Sequence, residues 1–261
     1  MTDPRLDFSL EGPVARLVIR RSDKLNALDA AMVESLLPIC RQVERSSARV
    51  LILSGEGEKA FSAGGDIAAW GAKVPEDFGR HWLRNGHDAF DALARLAIPV
   101  IAVLNGPALG GGLELAACAD FRLAEAHVRI GLPETSLGII PGWSGTQRAI
   151  RRFGAQVVRR MALFGEVFDV EQALALGLVD AVVPTGQGAE EAQRVAERLL
   201  ARSGRATELC KMLINAAEGE ERERVLESLA GALAAGSTEL QEGLAAFREK
   251  RAPRFASGEA P

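Results

Sequence analysis

The stretch ALGGGLELAACAD, residues 108–120, carries one carboxylate in the middle of an otherwise apolar segment. Its three glycines open a short predicted helix, and Glu114 is surrounded there by leucine and alanine. Burying a carboxylate without a partner costs several kcal/mol, or the group takes up a proton and becomes neutral. The stretch therefore predicts a buried carboxyl group beside backbone that is free of side chains. A buried ion pair with an arginine is the structural alternative for Glu114.

A second glycine cluster, FSAGGD at residues 61–66, stands in a similar place along the chain. Each cluster follows an apolar run that predicts a buried strand, RVLILSGEG at 49–57 and IPVIAVLNG at 98–106. Glycine pairs serve most often in turns and at helix starts. Two bare N–H groups that converge on one oxygen would instead form an oxyanion hole. Neither cluster has the spacing GxGxxG, or GxxxxGK followed by Ser or Thr, so dinucleotide and P-loop sites are excluded.

A second candidate carboxylate, Glu134, stands in RIGLPETSLGIIPGWSGTQR at residues 129–148. A lone glutamate after proline is ordinarily a solvated residue at a helix start. The motif GWSGT around Ser144 lacks the last glycine of GxSxG and has no supporting histidine motif, which argues against a serine hydrolase. Two carboxylates beside a carbonyl held by two N–H groups would instead perform chemistry at the neighbouring carbons.

The composition of the 261 residues is that of an ordinary globular protein, with 48% apolar and 25% charged residues. The net charge of −4 gives no reason to expect nucleic acid or an anionic membrane as a partner. No apolar run reaches the roughly 18 residues of a membrane span, and no signal pattern opens the chain. The three separated cysteines indicate neither disulfides nor a metal site, so we expect a cytoplasmic protein.

Strand-like and helix-like stretches alternate along the first two thirds of the chain, which favours an α/β fold with parallel sheets. Two strands are predicted at 5–20, a helix from the N-cap Asp29 to about Glu44, and another helix over 76–96. Residues 188–250 consist almost entirely of helix formers. We therefore expect a catalytic core at 1–187 and a C-terminal helical region at 188–261, which covers the active site or forms oligomer contacts.

These stretches together resemble the enoyl-CoA hydratase/isomerase (crotonase) superfamily, and specifically its hydratase branch. The resemblance extends over nearly the whole chain, and the order and spacing of its motifs make it specific. The matching stretches are KLNALD at 24–29, AFSAGGDI at 60–67, NGPALGGGLELAACAD at 105–120, LPETSLGIIPGWSGTQR at 132–148 and FREKRAPRF at 247–255.

The resemblance implies an α/β spiral of repeated ββα units with a C-terminal helical trimerisation region. It implies a homo-oligomer, either a trimer or a dimer of trimers. The implied activity is that of a hydro-lyase that adds water across the 2,3 double bond of a 2-enoyl-CoA thioester. Coenzyme A is then part of the substrate, and no separate cofactor and no metal is implied.

Carried over residue by residue, the resemblance assigns the oxyanion hole to the backbone N–H groups of Gly65 and Gly111. It assigns the acid and base roles to Glu114 and Glu134. In the hydratase branch Glu114 would orient and activate the water, and Glu134 would exchange the proton at C2. The opposed roles require environments that hold the two carboxyl groups in different protonation states.

The resemblance also implies contacts with the substrate and its coenzyme A portion. The implied residues are Lys24, Ala27, Ala63, Asp66, Ile67, Gly142, Trp143 and Lys250. Each lysine could equally be a solvated surface residue. Two departures concern the acyl group: Trp143 and Ser144 stand where hydratases commonly carry the small residues of PGAGGTQ, and Trp70 stands where a smaller side chain is usual. The identity of the acyl group therefore stays open.

Three rival functions remain to be weighed. A double-bond isomerase needs one proton-shuttling carboxylate and no attacking water, and the glutamate pair argues against it. A hydroxycinnamoyl-CoA hydratase-lyase is disfavoured because that chemistry enlists a tyrosine and this chain has none. A catalytically idle homologue that binds acyl-CoA or RNA is opposed by the intact glutamate pair and the acidic net charge.

Overall fold

The computed structural model describes residues 2–71 and 73–255, and the chain divides into two compact units, Met1–Lys211 and Met212–Pro261. The end of the predicted C-terminal region, 256–261, lies outside the described residues. The boundary between these units falls within a helix, Gly204–Ala217. Helix Gly188–Leu200 packs on the central sheet of the first unit. The division into a catalytic core at 1–187 and a C-terminal helical region at 188–261 stays a prediction.

The first unit is built on two sheets, which confirms the predicted α/β class. The strands of the larger sheet are β1 Leu6–Glu11, β2 Val14–Ile19, β3 Val50–Gly55, β4 Val100–Leu104, β6 Phe121–Glu125 and β9 Ala181–Val183. They lie in the order β1-β2-β3-β4-β6-β9. β1 pairs with β2 in the antiparallel sense, and the other neighbours run parallel. The smaller sheet contains β5 Ala108–Leu109, β7 Arg129–Gly131 and β8 Val167–Asp169, in the order β5-β7-β8.

The helices of the first unit cover both sheets. Helix α1, Ala30–Glu44, begins where predicted, because the side chain of Asp29 accepts a hydrogen bond from the N–H of Met32. The helix predicted at 76–96 is found as helical backbone from Pro75 to Ala94, in which a wider π-helical segment at Phe78–Leu83 separates two α-helical parts. The helices are α1 Ala30–Glu44, α2 Ile67–Trp70, α3 Pro75–Asp77, α4 Arg84–Ala94, α5 Gly111–Ala116, α6 Gln147–Phe153, α7 Ala155–Phe164, α8 Val170–Ala175, α9 Gly188–Leu200 and α10 Gly204–Ala217. Short 3₁₀ turns occupy Ser22–Lys24 and Glu134–Leu137.

Two apolar clusters hold the first unit together. The larger cluster surrounds α1, α4 and α5, and it includes the fully buried rings of Phe61, Phe90 and Phe168. The smaller cluster lies between α9 and the sheet, where Ala192 and Ala196 meet strand residues such as Ile52 and Val103. The small residues on α9 let the helix approach the sheet closely.

The second unit continues from α10 with α11 Arg222–Ala235 and α12 Thr238–Glu249. Ser237 caps α12 by accepting from the N–H of Leu240, and Lys250 ends the helix in the left-handed conformation. The described residues from 188 to 255 form helices joined and followed by short irregular segments, with no strand among them, as the composition predicts. Within the described parts of the chain, no helix combines the length and apolar character needed to cross a lipid bilayer.

Candidate active site

The two glycine clusters meet face to face in the first unit. A Cβ placed on Gly64 would lie 2.7 Å from the nitrogen of Gly111, and one on Gly112 would lie 2.0 Å from the carbonyl oxygen of Ser62. The short bridge between Ser62 and Ala108 joins the two segments. Glycine is therefore required at Gly64 and Gly112 because the two backbone segments approach each other closely. An ordinary turn or helix start would not by itself require this close approach.

The N–H groups of Gly65 and Gly111 are available to a ligand. Leu28 and Asp66 hold the first segment through hydrogen bonds around Gly65, the N–H of Leu28 donating to Gly64 and that of Asp66 to Leu28, both at 2.8 Å. Across residues 2–71 and 73–255, neither the N–H of Gly65 nor that of Gly111 donates to a protein acceptor. Both residues line the same pocket. Two N–H donors without an acceptor among the described residues therefore lie at one pocket, as an oxyanion hole requires.

Glu114 lies in the first turns of α5 and is buried, with 3% of its surface exposed. Its Oε1 accepts hydrogen bonds from the N–H groups of Trp143 and Gly145, each at 2.6 Å. Burial, and then the nearby charge of Glu134, raise the pKa of Glu114 to about 8, although the N–H donors oppose this rise. The carboxyl group is satisfied by backbone rather than by arginine, so the ion-pair alternative is wrong.

Glu134 begins the 3₁₀ turn after β7 and points into the same pocket. Both of its carboxyl oxygens are buried and accept no hydrogen bond from the described residues. A Cβ on Gly110 would lie 2.9 Å from Oε1 of Glu134, so the glycine leaves room for this carboxyl group. Burial raises the pKa of Glu134 to about 7. The interpretation of Glu134 as a solvated helix-start residue is therefore wrong.

The pocket between the carboxyl groups has a volume of about 100 Å³ and an aromatic wall. All three tryptophans of the chain line it. Trp70 packs edge-on against Phe78 with the ring centres 5.6 Å apart, and Trp82 contacts Trp143 at 4.9 Å. Other lining residues are Ala63, Gly65, Ile67, Leu83, Gly110, Gly111, Glu114, Pro133, Glu134, Leu137, Ile139, Ile140 and Gly142.

The indole of Trp143 forms the inner end of this wall. It is 3% exposed, and its Nε1–H donates to the carbonyl oxygen of Trp82 at 3.3 Å. A Cβ on Gly86 would lie 1.9 Å from Nε1, and one on Gly111 would lie 2.9 Å from the six-membered ring. Gly86 therefore interrupts the interior of α4, where glycine costs helix stability, because the indole occupies that space.

The structure brings together eight of the residues predicted for the site. These are Ala63, Gly65, Ile67, Gly111, Glu114, Glu134, Gly142 and Trp143. Lys24, Ala27 and Asp66 lie in the first unit but outside the lining of this pocket. The carboxylate of Asp66 caps α2 and pairs with Arg21 at 2.7 Å, and Lys24 is exposed. Lys250 is exposed in the second unit. The binding roles of these four residues stay predictions.

Part of the pocket wall was not predicted from the sequence. Phe78, Trp82 and Gly86 lie in the predicted helix over 76–96, for which no role at the site was predicted. The three residues follow one another at intervals of four, so they share one helical face. Two aromatic residues followed by a glycine on one helical face were the sequence signal that could have predicted this part of the wall. Leu83, Leu137, Ile139 and Ile140 carried no comparable pattern.

Comparisons with known proteins identify the family of this chain. The profile of the enoyl-CoA hydratase/isomerase family matches residues 10–258. A crotonyl-CoA hydratase of Syntrophomonas wolfei subsp. wolfei is 34% identical over 95% of this chain and 96% of its own length. Among solved structures, DspI of Pseudomonas aeruginosa has a TM-score of 0.82 at 31% identity and covers 98% of both chains. An enoyl-CoA hydratase of Bacillus anthracis has a TM-score of 0.78 at 32% identity and covers 97% of this chain and all of its own. The chain belongs to the enoyl-CoA hydratase/isomerase family.

Proposed function

We propose that this protein is an enoyl-CoA hydratase that adds water across the 2,3 double bond of a 2-enoyl-CoA thioester. The observation that carries the proposal is one pocket containing two carboxyl groups with raised pKa values and two unused N–H donors. The relative from Syntrophomonas wolfei, which is named a crotonyl-CoA hydratase, supports the same reaction. The coenzyme A belongs to the substrate, and the proposed reaction uses no separate cofactor.

The N–H groups of Gly65 and Gly111 would hold the thioester oxygen. Negative charge develops on this oxygen when water adds to C3, and two preorganised donors in a pocket shielded from water stabilise that charge. Removing one such donor from other enzymes costs about 10²-fold to 10³-fold in rate. Substrate polarisation is therefore assigned to backbone. Both positions are glycine because a Cβ on Gly65 would lie 3.0 Å from the ring of Trp82, and one on Gly111 would lie 2.9 Å from the ring of Trp143.

The two carboxyl groups would carry the protons. Ionised, a carboxyl group accepts a proton from water as the oxygen attacks C3; protonated, the other donates its proton to C2. We assign the water to Glu114, whose Oε1 is fixed by two N–H donors, and the C2 proton to Glu134. Both pKa values lie near neutral pH, about 8 for Glu114 and about 7 for Glu134, so the two carboxyl groups can hold one proton between them. The roles assigned here rest on the backbone hydrogen bonds to Oε1 of Glu114 and not on the order of the two pKa values.

The proposal is tested by replacing each carboxyl group with its amide. Glu114→Gln and Glu134→Gln should each lower the rate of crotonyl-CoA hydration by at least about 10²-fold, the scale of a lost general acid or base. Loss of the conjugated absorbance of crotonyl-CoA measures this rate. Glu171→Gln, on the exposed side of α8, is the matched control and should retain the wild-type rate.

Other outcomes separate the rival functions. If the folded wild type shifts the double bond of a 3-enoyl-CoA but hydrates no 2-enoyl-CoA, the protein is an isomerase. If it binds acyl-CoA and turns over neither substrate, it is a non-catalytic homologue. If either glutamine variant keeps the wild-type rate, the role assigned to that glutamate is wrong.

We also propose a homo-oligomer, a trimer or a dimer of trimers. The exposed large apolar side chains of the second unit support it, among them Leu233 at 78% and Phe247 at 84% exposure. Monomeric proteins rarely expose many large apolar side chains together, and such surfaces usually mark contacts between proteins. Closed symmetry would cover the same surface on each copy.

A further inference from the structure

Ser144 lies in a backbone conformation that serine rarely adopts. Its φ is 75°, in the left-handed region that favours glycine. The residue is 7% exposed and lies between Trp143 and Gly145, the two residues whose N–H groups hold Glu114. Strained residues of this kind persist where the surrounding structure holds them, and they concentrate at functional sites.

The conformation of Ser144 shapes the cradle around the carboxyl group. A left-handed residue in a short segment turns successive N–H groups toward one point, which forms the concave anion site known as a nest. Here the N–H groups on both sides of Ser144 reach the same oxygen, Oε1 of Glu114, at 2.6 Å each. An extended residue at 144 would turn these two donors apart. The left-handed backbone is therefore what lets a single carboxyl oxygen accept both hydrogen bonds.

The side chain of Ser144 is held from a different element. Its Oγ lies 3.0 Å from Nδ1 of His87, which is half-buried on α4. The carbonyl oxygen of Ser144 accepts from the N–H of Arg148 at 2.9 Å. The contact with His87 ties the segment to α4, and the hydrogen bond from Arg148 ties it to the start of α6. The hydroxyl–imidazole contact is thus the side-chain anchor of the nest.

We propose that Ser144 and His87 form a positioning pair that holds the nest closed around Oε1 of Glu114 and so directs its other oxygen to the reacting water. The pair touches no substrate and acts through Glu114. The inference rests on the proposed function as far as the water is concerned. The structural part of the inference, that the contact between Ser144 and His87 holds the nest, does not depend on which reaction the protein catalyses.

The test uses variants that remove or restore this contact. Ser144→Ala and His87→Leu should each lower kcat for crotonyl-CoA hydration by about 10-fold while KM stays within about twofold, because small displacements of a catalytic group slow chemistry more than binding. The double variant should be no slower than the slower single variant, since both changes remove the same contact. His87→Asn, whose amide can take the place of Nδ1, should restore most of the rate.

Amide hydrogen exchange provides a readout that is independent of turnover. The N–H groups of Trp143 and Gly145 should exchange about 10-fold faster in Ser144→Ala and His87→Leu, and at the wild-type rate in His87→Asn, because exchange follows local opening. Unchanged exchange overturns the pair, even in an active enzyme. Faster exchange in a protein that hydrates no enoyl-CoA supports the nest and refutes only the proposed function. Faster exchange with unchanged kcat overturns the positioning role.

Discussion

Replacing Trp143 with alanine should change which acyl chains the pocket accepts. The indole forms the inner wall of the pocket, beside the glycines that would hold the thioester. A cavity of about 150 Å³ holds benzene, or roughly 25 Å³ for each non-hydrogen atom. By that measure the observed pocket of about 100 Å³ has room for about four such atoms, close to the five of a crotonyl group, which has four carbons and one oxygen. We therefore expect the wild type to prefer short 2-enoyl chains.

Removing the indole frees the space of about nine non-hydrogen atoms, or roughly 200 Å³ by the same measure. Each newly buried methylene contributes about 0.8 kcal/mol, so two or more of them suffice for a tenfold change. Trp143→Ala should therefore raise kcat/KM for a ten-carbon enoyl thioester, relative to crotonyl-CoA, by about 10-fold or more. The variant should also lose about 3–5 kcal/mol of stability, because Trp143 packs on Phe90 and Trp82.

The assay compares kcat/KM over a series of chain lengths and records the Tm of each variant. Gly86→Ala is the matched control: its Cβ collides with the indole, so it should destabilise the wild type. In the Trp143→Ala background the same change should be tolerated, because the collision is gone and alanine favours the helix. A destabilised Trp143→Ala variant with an unchanged chain-length profile would refute the reasoning and make Trp143 a packing residue only.

Three further predictions concern the carboxyl pair and the assembly. The pH profile of kcat/KM should be bell-shaped with its maximum between about 7 and about 8, falling in acid when both Glu114 and Glu134 are protonated and in base when both are ionised; a flat profile from pH 6 to 9 would contradict the shared proton. The pKa of Glu134 is raised from 4.5 to about 7, so the folded protein becomes less stable as pH rises through this window and the carboxyl group ionises. Glutamine cannot ionise. Glu134→Gln should therefore be more stable than the wild type by up to about 3 kcal/mol above pH 7, with no such gain near pH 4. Chemical unfolding at the two pH values measures this difference. Sedimentation should show a trimer or hexamer at micromolar concentration, and a stable monomer would refute the proposed assembly.

Much of the site could be predicted from sequence because its chemistry depends on residue types at short spacing. Glu114 stands three residues after Gly111, so the carboxyl group and the glycine share one short helix. The apolar runs at 49–57 and 98–106 became β3 and β4 because continuous apolar character is typical of strands buried on both faces. Asp29 predicted the start of α1 because capping is a local interaction.

The short strands were not predicted. β5 has two residues, and β7, β8 and β9 have three each, which is too short for an alternating pattern to be recognised. These strands form through hydrogen bonds to partners distant in sequence. The position of α9 depended in the same way on a surface that only the assembled sheet provides.

Sequence by itself determined the two carboxyl groups, the two glycine clusters and the order of the main elements, since each follows from neighbours a few residues away. Only the tertiary structure decided the aromatic wall, the fit of Trp143 against Gly86, and the nest at Ser144. Trp143 and Gly86 are 57 residues apart in the chain, as are Ser144 and His87. Close packing and hydrogen bonding between such distant residues depend on how α4 meets the segment before α6, and no local pattern records that meeting.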